Sequence, residues 1–178
     1  MMIVVKSGEE TGNKKLQDIN YQLHNTTIKS KVKRMQFLGH YYHALEQKGR
    51  LAIPAPFRKN LGKEPVLTRG LEGCLFLFPQ TTWQEVVAAA ERKPLTRRAS
   101  REWVRLLTYN AQRVEFDAQG RILVPDHLRQ FAGLTEKVVL AGALNRIEIW
   151  QQERYHTYLE KLEGRAEEIA EAIDQTED

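Results

Sequence analysis

Glu46-Gln47-Lys48-Gly49-Arg50-Leu51-Ala52-Ile53-Pro54 returns later in the chain as Asp117-Ala118-Gln119-Gly120-Arg121-Ile122-Leu123-Val124-Pro125. Both copies read acidic, two variable positions, Gly, Arg, apolar, variable, apolar, Pro. The correspondence continues. Phe57-Arg58 matches Leu128-Arg129, residues 66–70 match 138–142 after a one-residue shift, and Leu75–Phe78 matches 147–150. A single phrase recurs by chance easily enough, but three blocks in the same order are an internal duplication. Two copies of one small β-rich unit are expected, and function has to be sought in what the pair presents.

Within each copy the local chemistry is readable. Gly49 and Gly120 stand where a strand pair needs a tight turn or bulge, because glycine tolerates positive φ. Residues 50–53 and 121–124 have the apolar character of strands, and Pro54 and Pro125 end them, since proline cannot donate to a ladder. Residues 56–62 read as a short helix with Pro56 near its start and Gly62 at its end. Residues 126–133 repeat that design, with Asp126 as the expected N-cap. Leu75–Phe78 and residues 146–150 close the units, giving β–β–α–β–β in outline. Each unit is about 45 residues, near the lower limit for an independent core, so the two should stabilise each other. The expected division is an extension over 1–34, a repeat over 35–80, a helical linker over 81–109, a second repeat over 110–153, and a C-terminal helix with acidic tail over 154–178.

Composition narrows the class. One cysteine in 178 residues excludes an intramolecular disulfide framework and a cysteine-rich zinc site. No run of about 20 apolar residues exists to span a membrane, and the apolar start at residues 1–5 is too short for a signal peptide. A soluble, cytoplasmic protein is expected. The formal charge of +4 conceals an asymmetry. From Glu160 onward eight acidic residues outweigh two basic ones, net −6, which leaves +10 on residues 1–159. A basic body with an acidic tail fits a polyanionic partner. Residues 1–34 are polar, aperiodic and end on Lys29, Lys31, Lys33 and Arg34; they read as a disordered extension, with Met35 as an alternative start. In the linker, Arg97, Arg101 and Arg105 fall on one helical face, with Trp103, Leu106 and Leu107 on the apolar one. Tyr155, Leu159, Leu162, Ala166, Ile169 and Ile173 make a heptad stripe, expected to pack on the chain itself or to meet a neighbour.

Enzyme chemistry finds no foothold. His40 and His43 flank Tyr41-Tyr42 without a nearby third ligand, so no metal is assigned. No phosphate loop, nucleophile elbow or His-Glu-x-x-His run is present, and no cofactor is implied. Cys74 reads as a small buried residue. Glu46 and Asp117 each have an arginine four residues on, which favours a salt bridge or turn hydrogen bond over a catalytic carboxylate pair. The arginines carry the stronger expectation. Arg50 and Arg121 follow a glycine at a strand start, where a guanidinium can reach guanine edges and phosphate oxygens, and Lys48 adds a cation to the first turn. The alternative is that each arginine simply pairs with its acidic neighbour.

These residues resemble the MraZ family from Met35 to Ile173. The paired acidic-x-x-Gly-Arg phrases at 46–50 and 117–121, each running to Pro54 or Pro125, carry the resemblance. The arginine-rich linker helix and Leu144-Asn145-Arg146-Ile147-Glu148-Ile149-Trp150 add to it. Either phrase alone would indicate only the wider AbrB-like class. The resemblance implies an α+β fold in which two swapped-hairpin AbrB-like units form one pseudo-two-fold barrel with flanking helices, and assembly of several chains into a ring. It further implies a DNA-binding transcriptional regulator, not an enzyme, that recognises short direct repeats in double-stranded DNA upstream of its own cell-division and cell-wall operon and represses it. By position, Arg50 and Arg121 become the DNA-contacting arginines, with Glu46, Gly49, Asp117 and Gly120 shaping their turns. One departure stands out: the first repeat opens with Glu46 where the family usually has aspartate, which weakens any turn-capping role there. Residues 1–34 have no counterpart in the family. A protein-interaction scaffold or antitoxin-like module on the same fold is the competing reading, and RNA binding is a third.

Overall fold

The two duplicated phrases pair with each other. In the computed structural model, which describes residues 36–174, the residues after each glycine form short antiparallel strands, Arg50–Ala52 and Arg121–Leu123. Arg50 lies opposite Leu123, Leu51 opposite Ile122, and Ala52 opposite Arg121. Successive side chains of a strand point to opposite faces. Leu51 and Ile122 therefore turn inward and are buried, while Arg50, Ala52, Arg121 and Leu123 share the outer face. The polar segment 1–34, its basic end and the last four residues of the acidic tail lie outside the described residues.

In chain order, the first repeat supplies β1 (His40–Ala44), β2 (Arg50–Ala52), α1 (Ala55–Leu61), β3 (Val66–Arg69) and β4 (Leu75–Phe78). Two helices follow, α2 (Gln80–Glu91) and α3 (Arg98–Thr108). The second repeat supplies β5 (Gln112–Arg113), β6 (Arg121–Leu123), α4 (Asp126–Phe131), β7 (Lys137–Ala143) and β8 (Arg146–Gln151), and α5 (Gln152–Glu163) and α6 (Ala166–Asp174) complete the chain. The fold is mixed α+β. Beside the β2–β6 ribbon stands a six-stranded antiparallel sheet in the order β1-β7-β8-β4-β3-β5.

That order interleaves the repeats. The first strand of each copy pairs with the third strand of the other: β1 with β7, and β5 with β3. At the centre β4 meets β8, with Leu75 opposite Ile149, Phe76 opposite Glu148 and Leu77 opposite Ile147. Leu75 corresponds to Ile147 in the duplication and Leu77 to Ile149, so the register is symmetric about the Phe76–Glu148 pair. The ribbon is symmetric in the same way about Leu51–Ile122.

Strand alternation also divides the core. Leu75, Leu77, Ile147 and Ile149 point into the main cluster, where Leu45, Leu51, Ile53 and Phe57 of the first repeat meet Ile122, Val124, Leu128 and Leu140 of the second. Phe76, Phe78 and Trp150 point the other way, onto Cys74, Trp83, Val86, Tyr155 and Tyr158. Fully burying one Leu or Ile side chain contributes about 1.5–3 kcal/mol, and half of the main cluster belongs to each repeat. Neither copy has a core of its own. Thr68, the one buried polar side chain among the described residues, donates its hydroxyl to the carbonyl of Leu107 at 2.9 Å, which ties α3 to β3.

Three local expectations are corrected. Asp126 is not the N-cap: Pro125 precedes α4 without a side-chain cap, and Asp126 sits in the first turn, ion-paired with Arg129. In α3 only Leu107 is buried, while Leu106 is 57% exposed, so the expected apolar face is largely open. Its arginine row is also not uniform. Arg101 donates to the carbonyls of Leu95 and Thr96 at 2.7 and 3.1 Å, and Arg98 pairs with Glu102 at 2.6 Å, whereas Arg97 and Arg105 stay exposed. The heptad stripe is interrupted, because α5 stops at Gly164, a poor helix former, and α6 begins at Ala166. Neither helix holds a buried residue; Tyr155 of the stripe half-buries against the aromatic cluster, beside Tyr158.

Candidate nucleic-acid interface

The ribbon ends are two turns of nearly identical backbone. The Glu46 N–H donates to the Arg50 carbonyl at 2.9 Å and the Gly49 N–H to the Glu46 carbonyl at 2.8 Å; Asp117, Gly120 and Arg121 repeat both bonds at 2.9 Å. Gly49 and Gly120 hold φ of +78° and +76°, the left-handed region that L side chains rarely adopt. Space demands glycine as well. A Cβ on Gly49 would lie 2.8 Å from the Val124 carbonyl oxygen, and one on Gly120 would run into the Arg58 guanidinium. Each turn is stitched to the other repeat: the Val124 N–H donates to Gly49 at 2.8 Å and the Ile53 N–H to Gly120 at 3.2 Å. Helices α1 and α4 back the turns crosswise, with Arg58 lying against Gly120 and Arg129 against Gly49.

The side chains on these matched backbones differ. The Asp117 Oδ1 accepts from the backbone N–H groups of Gln119 and Arg121, both at 2.9 Å. Its Oδ2 accepts from Arg121 Nε at 2.8 Å and lies 2.7 Å from Nη2. The Arg121 N–H, then its guanidinium, hold the Asp117 carboxyl below the usual carboxylate range, and Asp117 foremost, then Glu46, raise the Arg121 pKa in return. The Glu46 Oε1 also accepts from Arg121 Nη1 at 2.9 Å, across the ribbon. Arg121 is therefore held by two carboxylates, with its side chain only 19% exposed. Arg50 is exposed and makes no ion pair or side-chain hydrogen bond among the described residues, and Lys48 beside it is exposed too. Pairing with an acidic neighbour thus describes Arg121 and not Arg50.

One methylene accounts for the difference. An aspartate carboxylate is short enough to bond the N–H groups of its own turn. The glutamate carries its carboxylate past them and out to the opposite strand. Charge follows. Lys48 and Arg50 against Glu46 leave the first turn, residues 46–50, at +1, whereas Arg121 against Asp117 leaves the second, residues 117–121, neutral.

Two ribbon residues escaped the sequence reading. Leu123, 58% exposed, stands beside Arg50 on the outer face, and Ala52 stands beside Arg121. The signal was available, since two-residue alternation after each arginine places both outward. The remaining titratable candidates are accounted for elsewhere. On strand β1, His40 and His43 face opposite sides, so they cannot chelate together; His40 packs on Tyr42 at 5.5 Å, and burial lowers the His43 pKa. Among the described residues no three His, Cys, Asp or Glu side chains are gathered to hold a metal ion. Cys74 is buried, and burial with Glu148 and Glu72 nearby pushes its thiol pKa up, away from nucleophilic thiolate. No helix among the described residues is long and apolar enough to cross a membrane.

Comparison with known proteins matches these features twice along the chain. The family model described as "MraZ protein, putative antitoxin-like" matches residues 36–106 and again 107–176. The chain is 43% identical over 141 residues to the transcriptional regulator MraZ of Lactobacillus gasseri, covering 79% of this chain and 99% of that protein. It is 43% identical to the protein of that name from Carboxydothermus hydrogenoformans and 44% to that of Heliobacterium modesticaldum, each over 137 residues, 77% of this chain and 96% of the relative. By two matched repeats and by identity across almost the whole of these relatives, the chain belongs to the MraZ family, a non-enzymatic family of transcriptional regulators.

Proposed function

We propose that this protein is a sequence-specific DNA-binding regulator that offers the β2–β6 ribbon to the major groove. The observation that carries this is the ribbon's outer face, where Arg50 and Arg121 sit diagonally with Ala52 and Leu123 between them. The major groove admits a two-stranded ribbon, guanidinium groups suit the O6 and N7 of guanine, and small apolar side chains suit the thymine methyl. Arg50 and Arg121 make the base contacts, Lys48 contacts phosphate, and Glu46, Gly49, Asp117 and Gly120 set the turns.

The interleaved pairing supports a single pseudo-two-fold barrel built from two swapped hairpins, the repeats lying over 35–80 and 110–153 with the helical segments as flanks. One ribbon covers few base pairs. The open apolar residues Leu95, Leu106 and Tyr109, on and beside α3, support a contact between chains. Chains joined head to tail close into a ring where their rotation permits. Ribbons repeated around a ring engage short direct repeats together and multiply weak affinities. In this reading the regulator acts in the cytoplasm at the nucleoid, repressing its own cell-division and cell-wall operon from repeats upstream of it.

A gel-shift titration tests the function, using the DNA immediately upstream of the protein's own gene against a scrambled duplex. Specific retardation that weakens steeply with salt is expected, because lysines and arginines release condensed counterions. Equal affinity for both duplexes would refute sequence-specific recognition. The same open face of α3 favours one other reading, an interaction module resembling an antitoxin. Such a module would tolerate loss of Arg50 and Arg121 and depend on the acidic C-terminal helices.

A further inference from the structure

We propose that Glu46 is a positioning residue that makes the ribbon act as two unequal halves, holding Arg121 in reserve while Arg50 and Lys48 make the first contact with DNA. This rests on the DNA-binding reading above and deepens it. The duplication leads one to expect two equivalent arginines, and the backbone hydrogen bonds of the two turns are equivalent. Their side chains are not. Arg121 is enclosed by Asp117 at 2.7–2.8 Å and Glu46 at 2.9 Å, while Arg50 is exposed and unpaired among the described residues.

Chemistry gives the two halves different thresholds. DNA reaching Arg50 replaces only water on its guanidinium. To engage Arg121 it must displace a carboxylate from Nη1, and that carboxylate repels phosphate while it remains. Asp117 also bonds two N–H groups of its own turn and is fixed there. Glu46 makes no such backbone bond through its side chain, and its carboxylate is half-exposed. Glu46 is thus the carboxylate that can swing away. The second turn is weaker in charge as well, because Gln119 stands where the first has Lys48. Recognition is then ordered: the first turn docks, and the second engages where the DNA offers enough to release Arg121 from Glu46.

The test is a set of variants titrated with the upstream duplex at several salt concentrations. Glu46→Gln removes the charge and nearly keeps the shape. It should bind about tenfold tighter at low salt, within the range of one bidentate contact. Should the freed Arg121 take a phosphate, the slope of log affinity against log salt steepens by about 0.9. The double variant Glu46→Gln/Arg121→Ala should lose the gain, which separates release of Arg121 from a general change of charge. Glu46→Ala serves as a second variant with the same expectation, and far-ultraviolet circular dichroism checks that each stays folded. Unchanged or weaker binding by folded Glu46 variants, with Arg50→Ala still weakening specific binding, would overturn the proposal alone. Should Arg50→Ala itself bind as tightly as the parent, the DNA-binding reading falls and the proposal falls with it.

Discussion

Two turns with the same backbone and nearly the same sequence present different surfaces to solvent. In the turn from Asp117 to Arg121, acid, backbone and guanidinium form one closed hydrogen-bonded group. In the turn from Glu46 to Arg50, the acid is spent on the opposite strand and the arginine is left open. The duplication set the fold, but side-chain reach decides which copy is available. Symmetry of backbone therefore does not extend to the side chains it carries, and one methylene separates the two acids.

The comparison is most strongly tested at the glycines. Gly49→Ala places a residue in the left-handed region, at about 1–3 kcal/mol, and sets its Cβ against the fixed Val124 carbonyl. Gly120→Ala incurs the same backbone strain, but its obstacle is the Arg58 side chain, which can move aside. Urea unfolding should therefore show the larger loss of stability for Gly49→Ala. Equal losses would mean that the two turns are equally constrained.

Next in size are the arginines. Arg50→Ala should weaken binding to the upstream duplex by roughly tenfold to a hundredfold, the range of one good base contact, without changing the midpoint of unfolding. Arg121→Ala should cost less affinity, since the guanidinium it removes is already engaged. Fluorescence anisotropy with a labelled duplex measures both, and a larger loss for Arg121→Ala would reverse the ranking. In the DNA-free protein, the Arg121 Nε proton should exchange with water more slowly than that of Arg50, an order visible by NMR.

The smallest effect is in acid. Asp117 has a folded pKa below its ordinary value, so the folded state binds its proton less readily than the unfolded state. Its contribution is complete above the unfolded value of about 3.9 and is lost as pH falls through the lower folded value. Asp117→Asn should flatten stability against pH in that window, modestly, because Asp117 itself is solvent-exposed. An unchanged acid limb would show that the turn gains little from this charge.

The sequence made the repeats legible because turn glycines, strand-ending prolines and the apolar blocks are local signals that recur in order. The β–β–α–β–β outline follows from them directly. Partner choice is not local: nothing in residues 40–44 says that they pair with 137–141 rather than with their own repeat. The geometry of the candidate site was half legible for the same reason. Gly49, Arg50, Gly120 and Arg121 are marked by position, but the bond from Arg121 to Glu46 joins residues 75 apart and depends on chain length at one side chain. The helices misled in another way. Apolar spacing in α3 and along the C-terminal stripe signals a face to be covered, and periodicity carries no information about what covers it.

Interleaving also shapes the birth of the protein. His40 pairs with Ala141, so β1 leaves the ribosome about a hundred residues before its partner does. At roughly 5–20 residues per second, that interval is about 5–20 seconds. Until residue 113 is made β3 lacks β5 as well, and both strands then carry unpaired backbone groups able to template another nascent chain. A ribosome that stalls before Lys137 releases a chain in which β3 has β5 but β1 and β4 keep open edges, because β7 and β8 were never made.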